Sequence, residues 1–321
     1  MINVLKLKEN ILNGYIVTKE DALNLLDSDL ELLCTSANEL RKHFLGNSFD
    51  ICTIINGKSG RCSVDCKYCA QSAHYKTSIE KYSLVDFDTL KKDALYNENK
   101  GILRYSVVTS GKSLSDEELD EVCKSYIKLK NASNISLCAS HGLLSLNQFK
   151  KLKEAGVTRY HNNLETSRRN FKNICTTHTY EDKINALKDA MKAGLEVCSG
   201  GILGLGENMK DRIDMAFELR NLGITSIPIN ILNPIKGTPF ENNPLVTIDE
   251  ICRIIAIYRF IIPTGAIRLA GGRNLMSDKG KKAFLSGANA AISGDMLTTL
   301  GITIDEDMTL LKNLGFEVKE I

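Results

Sequence analysis

Cys62, Cys66 and Cys69 stand in one short run, Gly60 to Cys69, with the spacing C-x-x-x-C-x-x-C. Thiolates so spaced can converge on one small iron–sulfur cluster and leave its last metal position without a protein ligand. An open position is where chemistry takes place, so the run points to a reactive 4Fe-4S cluster. Structural zinc needs a full set of protein ligands, usually in two separated pairs, and no second pair of that spacing follows. Disulfide use is disfavoured as well, because Met1 to Asn10 lack the long apolar run of a signal peptide. Zinc and three unconnected packed thiols are the alternatives to a cluster.

A second set of unusual residues lies in four apolar runs. Ser106 interrupts Ile102 to Val108, Cys138 lies in Ile135 to Ser140, Cys198 in Leu195 to Gly200, and Arg268 in Ala266 to Ala270. An arginine in the middle of a buried strand costs several kcal/mol, on the order of a buried unpaired charge, unless it is paired or coordinating. Each cysteine taken alone reads as a small core residue. Together, two thiols, a hydroxyl and a guanidinium look like a second inorganic site.

These residues need elements to hold them, and the chain has a regular beat. Strand candidates fall near 52–56, 102–108, 134–139, 157–164, 195–203, 226–232, 265–270 and 288–293, each short, apolar and rich in β-branched residues. Between them lie helical periodicities such as Leu119, Val122, Cys123, Tyr126 and Ile184, Leu187, Ala190, Met191. Ser115 before Asp116-Glu117-Glu118, and Thr247 three residues before Glu250, read as capping boxes. Eight strands alternating with helices predict an α/β protein, a (β/α)8 TIM-type barrel over 47–321, behind an N-terminal helical extension over 1–46. A doubly wound open sheet has the same beat and differs only in closure.

The bulk properties suit an enzyme. At 321 residues, 43% of them hydrophobic, the chain can bury a large core. A net charge of +2, from 41 basic and 39 acidic residues, gives no field for nucleic acid or an anionic membrane. No stretch reaches the roughly 18 apolar residues of a membrane span, so a cytoplasmic location is expected, where ten cysteines read as metal ligands and buried thiols.

With aromatic Tyr68 before the last cysteine, the run resembles the signature of the radical S-adenosylmethionine (SAM) enzymes. In that superfamily a 4Fe-4S cluster cleaves SAM to a 5'-deoxyadenosyl radical, which abstracts hydrogen from an unactivated C–H bond. The resemblance narrows to the biotin synthase family over about residue 50 to the end. It is carried by Cys62 to Glu80, by Tyr160 to Ser167, by Cys198 to Glu207, by Pro228-Ile229-Asn230, by Lys236 to Pro239, and by Gly287-Ala288-Asn289 and Leu297-Thr298-Thr299. It implies sulfur insertion into dethiobiotin from an auxiliary iron–sulfur cluster, usually 2Fe-2S, held by three cysteines and an arginine. It further implies flavodoxin or ferredoxin as electron donor, and a homodimer.

Carried over residue by residue, Cys138, Cys198 and Arg268 match three auxiliary ligands, while Ser106 stands where the family pattern has cysteine. Ser106 could bind iron through oxygen, the auxiliary cluster could differ in type, or the site could be degraded. Cys175 could supply the missing thiolate or be a packed thiol. The resemblance places Asn163 and Glu165 at the catalytic centre, with Tyr68, Thr109, Gly200, Gly201 and Ile202 on the cofactor. Glu165 replaces the commoner aspartate. Asn230, Thr298 and Thr299 are candidate substrate contacts, together with Asn163. Gly200, Gly201 and Gly204 are read as letting backbone approach the adenosine. His141, His161 and His178 are read as structural, and Cys34, Cys52, Cys123 and Cys252 as core packing. A hydrogenase-cofactor maturase or methylornithine synthase shares the cysteine run but does not predict Cys198 with Arg268. An electron carrier or cluster-assembly scaffold needs neither the barrel nor the Asn163/Glu165 pocket.

Overall fold

The computed structural model describes residues 3 to 321. Its strands are β1 (Ser48–Lys58), β2 (Arg104–Thr109), β3 (Ser136–Ser140), β4 (Arg159–His161), β5 (Glu196–Cys198), β6 (Gly201–Leu203), β7 (Ser226–Ile231), β8 (Ala266–Leu269), β9 (Ala290–Ile292) and β10 (Glu317–Val318). All their ladders are parallel, in the order β1-β2-β3-β4-β5-β7-β8-β9, and β9 returns to β1 through Asp50 opposite Ala290. The sheet is therefore a closed barrel and the open-sheet alternative falls. The fifth position is shared by β5 and β6, which pair successively with β7 through Cys198 opposite Ser226 and Gly201 opposite Ile229. All the expected runs form strands. β10, only 2 residues long and paired with Ser48 and Phe49, was too short to give a pattern.

The helices between the strands bury the stripes read from the sequence, with Leu119, Tyr126 and Leu187 wholly inaccessible. Helices Val4–Leu12, Lys19–Asn24 and Leu30–Leu45 make up the N-terminal region, the last lying on Ile248–Ile261. Sandwiched between that helix and the barrel, Ile248–Ile261 buries everything from Ile254 to Ile261. Ser115 and Glu118 form the expected reciprocal cap. Thr247 caps Glu250 N–H, but the Glu250 carboxylate turns to Arg212 instead of reciprocating, because a buried guanidinium is the stronger partner. Among the described residues no helix is long and apolar enough to cross a membrane.

A barrel of this kind ordinarily fills its interior with layers of bulky apolar side chains. Here the inward positions of β1, β2, β3, β5 and β8 carry Cys52, Ser106, Cys138, Cys198 and Arg268, and the interior holds a cavity of about 410 Å³.

Candidate active site inside the barrel

The mouth of the cavity is formed by the loop that follows β1. Cys62, Cys66 and Cys69 all line it. The loop is held by its own backbone and side chains: Cys69 N–H donates to Cys66 O at 3.0 Å, Ser72 Oγ to Val64 O at 2.7 Å, and Thr77 Oγ1 to Ala70 O at 2.6 Å. Asp65 fastens it to the segment after Ile174, accepting from Thr176 and Thr177 and from Cys175 Sγ at 3.2 Å. Gly237 presses on the loop so closely that a Cβ there would lie 2.1 Å from Lys76 O. Burial pushes the Cys69 thiol up to about 11, and a hydrogen bond with Cys175, then burial, raise Cys66. Thiols of this kind ionise when they bind a metal. Among the described residues no three His, Cys, Asp or Glu side chains are grouped closely enough to hold a single metal ion.

One wall is built by the segment after β4. Asn163 Oδ1 accepts from Gly200 N–H at 3.0 Å, which ties it to the β5–β6 break. Glu165 holds a left-handed backbone with φ 71°, rare for a residue with a Cβ, and this turns its carboxylate inward. Glu165 Oε2 is buried without a hydrogen-bond partner among the described residues, and Oε1 is 3.8 Å from Lys183 Nζ. Lys183 also lines the cavity and donates to Asn162 Oδ1 at 3.1 Å. Burial, then the neighbouring thiols and Glu165, push the Tyr68 phenol far up, so it stays a donor. An orphaned carboxylate oxygen beside a lysine and a phenol suits a ligand that brings its own amine, hydroxyl and carboxylate, as SAM does.

Thr109, Ile202, Asn230, Thr298 and Thr299 line the same cavity, whereas Gly200 and Gly201 stand behind its wall. A Cβ on Gly200 would meet Pro228 O at 1.9 Å, and one on Gly201 would meet Glu165 O and Met215 Sδ at 2.5 Å, so the packing of neighbouring segments demands these glycines. Asn230 Nδ2 donates to Gly201 O at 3.1 Å and its Oδ1 accepts from Gly271 N–H at 2.9 Å, leaving one further hydrogen bond on each atom. His141 is held between Thr109 Oγ1 and Tyr126 Oη, each at 3.0 Å, and burial lowers it to about 3. His178 lies against Cys175 Sγ at 3.3 Å.

The floor contains the second set. Ser106 faces Cys138 across the β2–β3 ladder, and both line the cavity with Cys198 and Arg268. Burial pushes Cys138 up to about 12. Burial also acts to raise Cys198, but His161, Arg268 and Arg159 outweigh it and bring that thiol down to about 7. Arg268 donates to Asp50 Oδ1 at 2.6 Å, so the costly buried charge is paired. Arg104 and Arg159 also face Asp50, and all three outweigh the burial that would otherwise neutralise it. Ser106 Oγ is buried and has no hydrogen-bond partner among the described residues. Soft sulfur donors over a cationic floor, with an orphaned hydroxyl between strands, suit an iron–sulfur cluster.

Three residues of the site escaped the sequence reading. Cys52 is not core packing: its Sγ faces the cavity and accepts from Arg268 Nη1 at 3.1 Å. Its signal was a lone thiol at an inward step of β1, opposite Arg104 on β2. Lys183 sits on the buried stripe Tyr180, Ile184, Leu187, where a lysine is out of place. Asp50 is the carboxylate that a buried Arg268 required. Cys175, by contrast, stands beside the first cysteine run, bonded to Asp65 and His178. Cys123 and Cys252 are buried among apolar neighbours, and Cys34 is half-buried against the apolar core.

Residues 58–219 match the Radical SAM superfamily and residues 228–317 the Biotin and Thiamin Synthesis associated domain. The fold superposes on methylornithine synthase with a TM-score of 0.85 at 18% identity, covering 98% of this chain and 97% of that one. It superposes on the FeFe-hydrogenase maturase of Carboxydothermus hydrogenoformans with a TM-score of 0.82 at 14% identity, covering 98% and 78%. Such low identity speaks for the shared barrel alone. Fold, cysteine run and superfamily match define the class, a radical SAM enzyme. Curated biotin synthases are far more similar in sequence: that of Clostridium botulinum strain Hall is 59% identical over 318 residues, 99% of this chain and 100% of the relative. That of Akkermansia muciniphila is 57% identical over 313 residues, 98% of each chain. The chain belongs to the biotin synthase family, which separates it from the maturase, methylornithine synthase and electron-carrier alternatives.

Proposed function

We propose that this protein converts dethiobiotin to biotin by inserting one sulfur between two carbons, with SAM bound at the mouth of the barrel and an auxiliary iron–sulfur cluster on its floor as sulfur donor. The observation that carries this reading is a single cavity lined by both thiol sets, with the Glu165 carboxylate in its wall. Held by Cys62, Cys66 and Cys69, a 4Fe-4S cluster with SAM would supply radical hydrogen abstraction from unactivated C–H bonds, and an auxiliary cluster would supply the sulfur.

The protein's own part is holding and orienting. Cys62, Cys66 and Cys69 hold the first cluster; Glu165, Asn163, Lys183 and Tyr68 accept from and donate to the polar groups of SAM. Asn230, Thr298 and Thr299 offer the substrate its polar contacts near the mouth. Cys138, Cys198 and Arg268 belong to the auxiliary site. Apolar walls such as Ile54, Ile202 and Leu232 exclude water that would quench a radical. A cytoplasmic location, a homodimeric assembly and flavodoxin or ferredoxin as electron donor belong to the same reading, on the strength of family membership.

Anaerobic reconstitution with iron, sulfide, SAM and a strong reductant tests it. Dethiobiotin should be turned into biotin with release of 5'-deoxyadenosine, and Cys66→Ala should abolish that release, since two thiolates cannot replace three. Full 5'-deoxyadenosine formation by Cys66→Ala, or none in response to dethiobiotin by the parent protein, would refute it.

A further inference from the structure

We propose that Cys52 is a thiolate ligand of the auxiliary cluster and that β1, not Ser106 on β2, supplies the donor completing the set with Cys138 and Cys198. This rests on the reading that the cavity floor holds a cluster at all.

The pleat carries the first step. Successive side chains of a strand point to opposite faces, and Cys52 and Ile54 on β1 both reach the cavity, so Cys52 is on the inward face. Its neighbours are the second step. Cys52, Cys138 and Cys198 all line the cavity. Three thiols drawn from β1, β3 and β5 thus meet in one space, where ionised together they would repel strongly unless cations stood between them. Arg268 Nη1 holds the sulfur from one side at 3.1 Å, and the same nitrogen is fixed by Asp50 O and Ala291 O, each at 3.0 Å. This presets the direction of the sulfur without occupying all its acceptor capacity.

Position 106 supplies the independent observation. Ser106 is 7% exposed, lines the cavity, and its hydroxyl finds no partner among the described residues. A neutral hydroxyl is a poor iron ligand, and forming the alkoxide in a buried site is costly. A thiolate is softer and far more easily ionised. With Cys52 in reach of the same space, Ser106 need only border the cluster.

The test uses the full chain with Cys62, Cys66 and Cys69 all changed to alanine, so that iron bound after anaerobic reconstitution reports the floor alone. Iron, sulfide and the Mössbauer spectrum are read in this parent and after adding Cys52→Ala, Cys52→Ser, Ser106→Ala or Cys198→Ala. Cys52→Ala should lower iron and sulfide to the level left by Cys198→Ala, Cys52→Ser should lose iron or alter the spectrum, and Ser106→Ala should retain both. Metal-free thermal unfolding of each variant shows that the fold is kept. Parental iron and an unchanged spectrum in both Cys52 variants would overturn the proposal. Absence of floor iron in the parent would instead overturn the auxiliary-cluster reading, and this proposal with it.

Discussion

Glu165 concentrates what single residues contribute. Its φ of 71° stores on the order of 1 kcal/mol of backbone strain, and the orphaned carboxylate oxygen is what that strain positions. Aspartate tolerates the left-handed region better. Glu165→Asp should therefore raise the unfolding free energy by about 0.5 to 1 kcal/mol, read from urea melts of the metal-free protein. The carboxylate then sits one methylene short, and KM for SAM should rise about tenfold, the loss of one charge-assisted hydrogen bond. An unchanged KM would show that Glu165 does not meet the cofactor. Residues of this kind were legible where the pattern was local: Cys62, Cys66 and Cys69 lie within one loop, and Arg268 breaks an apolar run. Cys52 was not, because one thiol in an apolar strand looks the same whether it packs or faces a cavity. Only the register of β1 against β2 and β9 tells the two apart.

At the scale of elements, the alternation of β-branched runs and capped helical stripes announced eight strands and their order. The split of the fifth strand was hidden, since Glu196 to Leu203 reads as one run and only the crowding around Gly200 breaks it. That crowding makes a paired prediction. Gly200→Ala would drive a Cβ to 1.9 Å from Pro228 O, so β5 and β7 must part. The cost should be about 3 kcal/mol, with weaker retention of Asn163 against Gly200 N–H. Gly206→Ala, with φ +83° and nothing within 4 Å, should cost only about 1 kcal/mol from its left-handed backbone. Chemical denaturation of both variants beside the parent measures the difference, and equal losses would mean that the space behind Gly200 yields.

For the whole molecule, the apolar core is continuous from Val4 to Phe316 and includes neither Cys52, Cys138 nor Cys198. Folding should not need the metal, unlike a zinc finger, whose folding energy is its metal binding. The metal-free protein is expected to keep its far-UV circular dichroism and unfold in one cooperative step; a collapse on chelation would contradict a core that stands alone. Closure was the feature no local pattern could reveal, because it depends on β1 accepting β9 from the other end of the chain. That same pairing sets a timetable during synthesis. β9 leaves the ribosome long after β1, and contacts so distant in sequence form slowly. On the auxiliary-cluster reading proposed above, Cys138 and Cys198 wait beside an unfinished ring until Ala290 docks on Asp50, so a chain truncated before Ala290 should be unable to retain iron there however much is supplied.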